Sequence, residues 1–355
     1  MNGLDVVMIN RAFAIFTILA ACGPLRAQDA ATMWQFAPPD TKAFIGIHWH
    51  NIQESQIGRT LRQKLAETGF GTMPFFGILK NIDEAVITSP GKQPDDPEDE
   101  QAPVLIRVSG RFPAGELERM MAAQGTHAQL YKQKRVYRQK KDGDMAMTLL
   151  DEHTFLLGDA PSVFAALDRL EWPSAPENPL LARARKLRDD YDIWALFAIA
   201  PTELAGRLLP DLPLMDEVHG LDLGVSLKAG LDIRVGLDTD SEESATHLSD
   251  AMRKALKLAM KDMLQGPNAA KSANLAAAVK KLQIGADKSD VQLTLRLDAA
   301  EVERGLAEAA RRQQADQAAL ALTIAPHHVP PPPPPKQSIH IEGLDDGPKE
   351  IPLAQ

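Results

Sequence analysis

His48 and His50 stand two residues apart at the end of a segment, Ala43 to Trp49, whose apolar residues mark a strand. Alternate residues of a strand share a face. Two imidazoles so placed could give zinc two of its ligands, with a carboxylate completing the set, or serve a hydrolase as acid and base. No third ligand can be picked out of the sequence. The corresponding strand of the second half carries Ala200 opposite His48. Histidines at the rim of a strand end are the plainer account. His327-His328 lies in a proline-rich tail, where metal binding would be incidental. Ser89-Pro-Gly-Lys92 spells SxxK, but that pattern needs a helix start to aim the serine at the lysine, and here it enters a loop of prolines and acids. No GxSxG, HExxH, P-loop or GxGxxG occurs, so no cofactor is expected.

The sharpest charge feature is Tyr131 to Lys141. It gathers Lys132, Lys134, Arg135, Arg138, Lys140 and Lys141 on one expected hairpin, in a chain of net charge −9. Such a cluster suits an anionic surface: phospholipid, a cell-envelope polymer, or the chain's own acidic loop at 94–100. An exposed sheet edge guarded by lysines is the plainer account. The acidic balance gives no support for nucleic acid as a partner.

The chain has 355 residues and one cysteine. A disulfide framework, a cysteine zinc site and a CxxC pair are thereby excluded. That cysteine, Cys22, closes the run Ala12 to Ala21 (AFAIFTILAA), which follows Arg11 and precedes Gly23-Pro24. Ten apolar residues are too few to span a bilayer and fit the core of a secretory signal. The leader carries Asp5; starting at Met8 would give the better one, MINR. Leu19-Ala-Ala-Cys22 resembles the bacterial lipobox, which implies lipid attachment at Cys22 and anchoring to a membrane. Leu25-Arg-Ala27 offers an ordinary cleavage site instead. Both place the mature chain in the periplasm or envelope.

The elements suggest an α+β fold of two related units, each a mainly antiparallel sheet covered by helices, from a degenerate internal duplication. Residues 1–27 are the signal and 28–36 a tether. The first unit, 37–171, holds a loop at 89–102 too acidic and proline-rich to join a core. Residues 172–179 link it to the second unit, 180–322, and 323–355 form a flexible tail with six consecutive prolines, one short strand and an Asp-Gly turn. Ile57, Leu61 and Leu65 predict one helix over 51–68, and Leu248, Met252, Ala255, Ala259 and Met263 a long inward helix face. Thr239-Asp-Ser-Glu242 is spelled as a capping box. The two sheets could also join into one.

Phe36-Ala-Pro-Pro-Asp-Thr-Lys-Ala-Phe-Ile-Gly-Ile47 and Leu149-Leu-Asp-Glu-His-Thr-Phe-Leu-Leu-Gly-Asp159 resemble a broad group of exported bacterial proteins of unknown function. The resemblance covers the first half, implies an exported α+β protein, and supplies no catalytic residue. The expected function is that of a non-catalytic envelope protein acting by binding, its partner an envelope protein or polymer, or as a structural component. The rivals are a hydrolase or metal enzyme at His48 and His50, and a binder of lipid or a small hydrophobic ligand between the two units.

Overall fold

A computed structural model describes residues 34–60, 81–91, 102–123, 125–138, 145–172, 177–198, 217–265, 276–309, 311, 338–341 and 349–352. The elements follow the hydrophobic periods. β1 (Ala43–His48) leads into α1 (Trp49–Glu54); β2 (Ile82–Ser89) and β3 (Leu105–Gly110) precede α2 (Ala114–Ala123). Four strands form a meander: β4 (His127–Tyr131), β5 (Lys134–Arg138), β6 (Met145–Asp151) and β7 (Thr154–Asp159). Then come α3 (Ala160–Arg169), α4 (Leu181–Asp190), β8 (Ile193–Phe197), β9 (Val218–Ser226) and β10 (Gly230–Thr239). α5 (Glu242–Gln265), β11 (Gln283–Asp287), β12 (Asp290–Asp298) and the helical residues 299–309 complete the body. Asp142-Gly143, spelled as a hairpin turn, and residues 201–209, where the sequence suggests a helix, lie outside the described residues.

The strands form one antiparallel sheet of twelve, in the order β11-β12-β10-β9-β8-β1-β2-β3-β7-β6-β5-β4. Two separate sheets are therefore not what the chain builds. β1 and β8 pair directly, Ala43 opposite Phe197 and Ile47 opposite Ile193, so the two halves meet along a hydrogen-bonded ladder. Residues through Leu306 make one compact unit and 307–355 another. In the latter, the one short strand expected becomes a hairpin of β13 (Ser338–Ile341) and β14 (Lys349–Pro352), with Ile339 opposite Ile351.

Alternation along the strands gives the sheet two apolar faces. On one, Phe44, Val86, Trp194 and Leu196 meet Leu181, Ala184 and Leu187 of α4, and Leu105, Val136 and Leu156 meet Val163, Ala166 and Leu167 of α3. On the other, Ile47, Ala85, Ile106, Val108 and Phe155 pack with Ile52 and Phe112, while Leu248 and Met252 of α5 cover Leu237 and Val291. Trp34 and Phe36, expected in a tether, are both buried and belong to this core. The buried Arg169 guanidinium holds them in place by donating to the Phe36 carbonyl at 2.6 Å.

Local hydrogen bonding set the boundaries that periodicity missed. The helix expected over 51–68 breaks at Ser55, which turns extended. Its hydroxyl donates to the Ile52 carbonyl at 2.6 Å and accepts from Gly58 N–H at 2.9 Å, ending one turn and capping the next. Ser241, not Thr239, caps α5, accepting from Ser244 N–H at 3.1 Å, because Thr239 donates to the Ser289 carbonyl. Asp159 caps α3, accepting from Ser162 N–H at 2.8 Å, and its other oxygen accepts from Val104 N–H. The inward face of α5 ends at Met252; Ala255 and Ala259 are exposed.

At the centre of the sheet, Trp194 is fully buried between two glycines, opposite Gly46 on β1 and Gly224 on β9. A Cβ at Gly46 would lie 2.1 Å from the indole. Gly46→Val is expected to lower stability by about 3 kcal/mol through overpacking, read as a shift of the urea midpoint. An unchanged midpoint would show that the indole does not occupy this place.

Candidate functional site

The ionisable side chains that come together do so around α4, which lies over the β1–β8 junction. Its sequence, LARARKLRDD, buries Leu181, Ala184 and Leu187 at spacing three. Arg183 and Arg188 are five residues apart, about 140° around the helix at 100° per residue. Each therefore leaves the apolar stripe on its own side, one toward the strands of the second half and one toward those of the first.

Arg188 reaches Glu84 of β2. Its Nε donates to Glu84 Oε1 at 2.7 Å and an Nη to Oε2 at 3.1 Å, a two-point grip on a buried carboxylate. Burial depresses the basicity of Arg188, and the hydrogen bonds and charge of Glu84 more than restore it. His48 lies opposite Glu84 in the ladder. Its Nε2 donates to the Arg188 carbonyl at 2.8 Å and its Nδ1 lies 3.4 Å from Glu84 Oε1. Arg107 of β3 completes the group; burial lowers its pKa, opposed by the charge of Glu84.

His48 ends β1, and His50 falls in α1. The shared strand face expected of them is absent, because the chain turns helical at Trp49. His50 Nε2 lies 3.5 Å from Glu54 Oε1, one turn along that helix. Among the described residues no group of three or more His, Cys, Asp or Glu is arranged to hold a metal. Asp192, between α4 and β8, fixes the junction further. Its buried carboxylate accepts from Leu227 N–H at 2.7 Å, Asn51 Nδ2 at 3.2 Å and Ser226 Oγ at 3.3 Å, and its carbonyl accepts from His48 N–H.

On the other side Arg183 meets an acidic group that the sequence reading passed over. Gly-Leu-Asp occurs five times in the chain; the copies at 220–222 on β9 and at 236–238 on β10 pair antiparallel. Gly220 stands opposite Asp238, and Asp222 opposite Gly236. Each carboxylate thus lies over the other strand's glycine, where a Cβ would come within 2.5 Å of it. Leu221 and Leu237 face the opposite side, under α5. Arg183 joins the two acids, donating to Asp222 Oδ2 at 2.6 Å and forming a two-point pair with Asp238. These hydrogen bonds, that to Asp238 foremost, hold Arg183 more basic than usual. Asp290 of β12 stands opposite Asp238. Burial and the Asp238 carboxylate push Asp290 up, while Asp238, despite its own burial, is held below the usual range by Arg183. The same tripeptide also stands at 230–232 on β10, where Asp232 lies opposite Ser226, so its spelling alone did not single out this pair.

The described cations of the hairpin are engaged by the chain's own groups at the surface. Lys132 Nζ lies 2.9 Å from both Asp168 and Glu171 and is made more basic by them. Tyr131 Oη donates to Asp168 at 2.8 Å, and its ring packs edge-on against Phe164. Lys134 donates to the Leu150 carbonyl at 2.6 Å and Arg135 pairs with Glu118 at 3.1 Å. Arg138 ends β5; Lys140 and Lys141, like Cys22 and the acidic loop at 94–100, lie outside the described residues.

At the junction, among the described residues, β1 and β8 are direct neighbours and Trp34, Phe44 and Trp194 fill the space over them on the α4 face. A cavity of about 10 Å³ beside it, lined by Trp34, Phe36, Val86, Leu105 and Arg107 among others, has room for about one water.

No family model matches the chain, and no curated protein matches it. The solved structure of TP0453 in crystal form I is similar to it with a TM-score of 0.46 and 9% identity, covering 78% of this chain and 96% of that one. The same protein in crystal form IV gives 0.45 and 10% over 77% and 95%.

An acid whose folded-state pKa lies above its unfolded one weakens the fold as pH rises past it. Asp290 is such an acid, so its ionised form at neutral pH opposes folding. Asp290→Asn is expected to raise the melting temperature at pH 7, with the gain shrinking as pH falls toward the ordinary aspartate value of about 4, below which the wild-type carboxyl is protonated in the folded and unfolded states alike. A lower melting temperature at pH 7, or a gain independent of pH, would contradict the assignment.

Proposed function

We propose that this chain is exported to the bacterial envelope and acts there by binding or as a structural component, without catalysis. The observation that carries this is the N-terminal sequence: Arg11, the apolar run 12–21, the Gly23-Pro24 break, and two cleavage sites, before Cys22 and after Ala27. The side-chain chemistry agrees with it. His48, Glu84, Arg188, Arg183 and Asp238 are all engaged with one another or with the backbone around α4. Their arrangement supports a role in joining the sheet. Among the described residues no helix is long and apolar enough to cross a membrane, so in this reading any membrane attachment comes through lipid on Cys22.

The same reading includes an internal duplication. Moving outward from the central pair, one half runs β1-β2-β3-β7-β6 and the other β8-β9-β10-β12-β11. In both, the outermost two strands are reached after a helix, α2 or α5. β4 and β5 are the addition of the first half.

Expression in a bacterial host with labelled palmitate tests the reading. The mature chain is expected in the envelope fraction beginning at Cys22 and labelled, with the label lost in Cys22→Ala. An unlabelled envelope chain beginning at Gln28 would support export and remove the lipid anchor. An uncleaved chain confined to the cytosol would overturn the reading.

A further inference from the structure

The two edges of the twelve-stranded sheet are treated differently. Strand edges carry free N–H and C=O groups on alternate residues, and proteins ordinarily cover or block them. β11 and β12 join through a two-residue turn at Lys288-Ser289, so Asp287 bonds to Asp290 and the groups of Ala286 and Ile284 point outward. That edge is blocked: Arg253 of α5 donates to the Ile284 carbonyl through Nε at 3.1 Å and an Nη at 3.0 Å.

At the opposite edge, β4 and β5 join through Lys132-Gln133, both at positive φ, as a type I′ turn requires. Tyr131 therefore bonds to Lys134, Gln129 to Val136 and His127 to Arg138. The N–H and C=O groups of Ala128 and Leu130 point away from the sheet. Among the described residues no side chain takes them, and Leu130 is 74% exposed. Neither proline nor charge interrupts the strand, HAQLY. The nearest cation, Lys132, is drawn onto Asp168 and Glu171 rather than standing guard.

We propose that β4 is a pairing edge for a second copy of this chain, the two β4 strands adding antiparallel about a two-fold axis. The outward groups fix the register. Ala128 of one copy bonds to Leu130 of the other, and the reverse, which sets Gln129 opposite itself on the axis. The opposed pairs are then Ala with Leu, Gln with Gln and His127 with Tyr131. A small side chain meets a large one and no like charges face each other, as a self-complementary edge requires. A five-residue ladder is smaller than a standard interface of about 1,200 Å² or more, so the pair is weak and best trapped covalently.

In the full-length chain carrying Cys22→Ala, position 129 can hold the sole thiol. Gln129 forms a pair without hydrogen bonds, whose Cα atoms stand about 4.5 Å apart, within reach of a disulfide. The two copies of His127 lie about 13 Å apart. Under mild oxidation Gln129→Cys is expected to give about tenfold more disulfide-linked dimer than His127→Cys, and adding the exposed Leu130→Lys is expected to abolish the difference. Equal linkage at 127 and 129, linkage indifferent to Leu130→Lys, or no dimer at all with retained native circular dichroism would overturn the proposal.

Discussion

Everything else in the body of this protein depends on the hydrogen-bonded ladder between β1 and β8. Among the described residues it is the one place where the first and second halves share strands, and five residues of each strand form it. Without it the chain would present two edges that need covering. With it, the sheet runs unbroken from β11 to β4. A ladder of this length is not stable by itself in water; the cover on its faces makes it so. Trp194 lies over Gly46, Trp34 and Phe44 pack around it, and α4 closes the layer with Leu181, Ala184 and Leu187.

The charges under α4 belong to the same device. A buried ion pair contributes little net stability, because desolvating both partners offsets their attraction, but removing one partner leaves a buried charge and costs about 3–5 kcal/mol. Arg188 on Glu84 and Arg183 on Asp222 and Asp238 therefore fix where the helix lies more than they add to stability. Each arginine is bonded to a different half, so a shift of α4 in either direction strips a buried carboxylate. Asp192 fixes the chain between helix and strand in the same way, through Leu227, Ser226 and Asn51.

Most strands were legible as short apolar runs bounded by turn residues. β12 carries apolar residues at alternate positions, Val291, Leu293, Leu295 and Leu297, and Asp159 before α3 is a residue type favoured at a helix start. Three things were hidden, each for a physical reason. Ser55 and Ser241 redirected helix starts through single hydroxyl bonds that no periodicity records. The helical turn at Trp49 parted His48 from His50, because both an apolar strand and an amphipathic helix fit that stretch. The pairing of β1 with β8 joins residues about 150 apart, and nothing local to either strand specifies a partner so distant. The site was less legible than the fold. The histidines and the cationic hairpin drew notice by residue type, yet the organising charges were Arg183, Arg188, Glu84 and the paired Gly-Leu-Asp tripeptides, which look ordinary until register brings them together.

Native-state hydrogen exchange at the β1–β8 ladder tests this account most directly. If the ladder and its cover weld the halves into one cooperative body, the bonded amides of Ala43–Ile47 and Ile193–Phe197 open only with global unfolding. Their opening free energy then equals that of the slowest amides in β3 and β10, and both fall in parallel with denaturant. Amides that exchange at the ladder at lower free energy than those in β3 and β10, with the two halves melting apart, would contradict it.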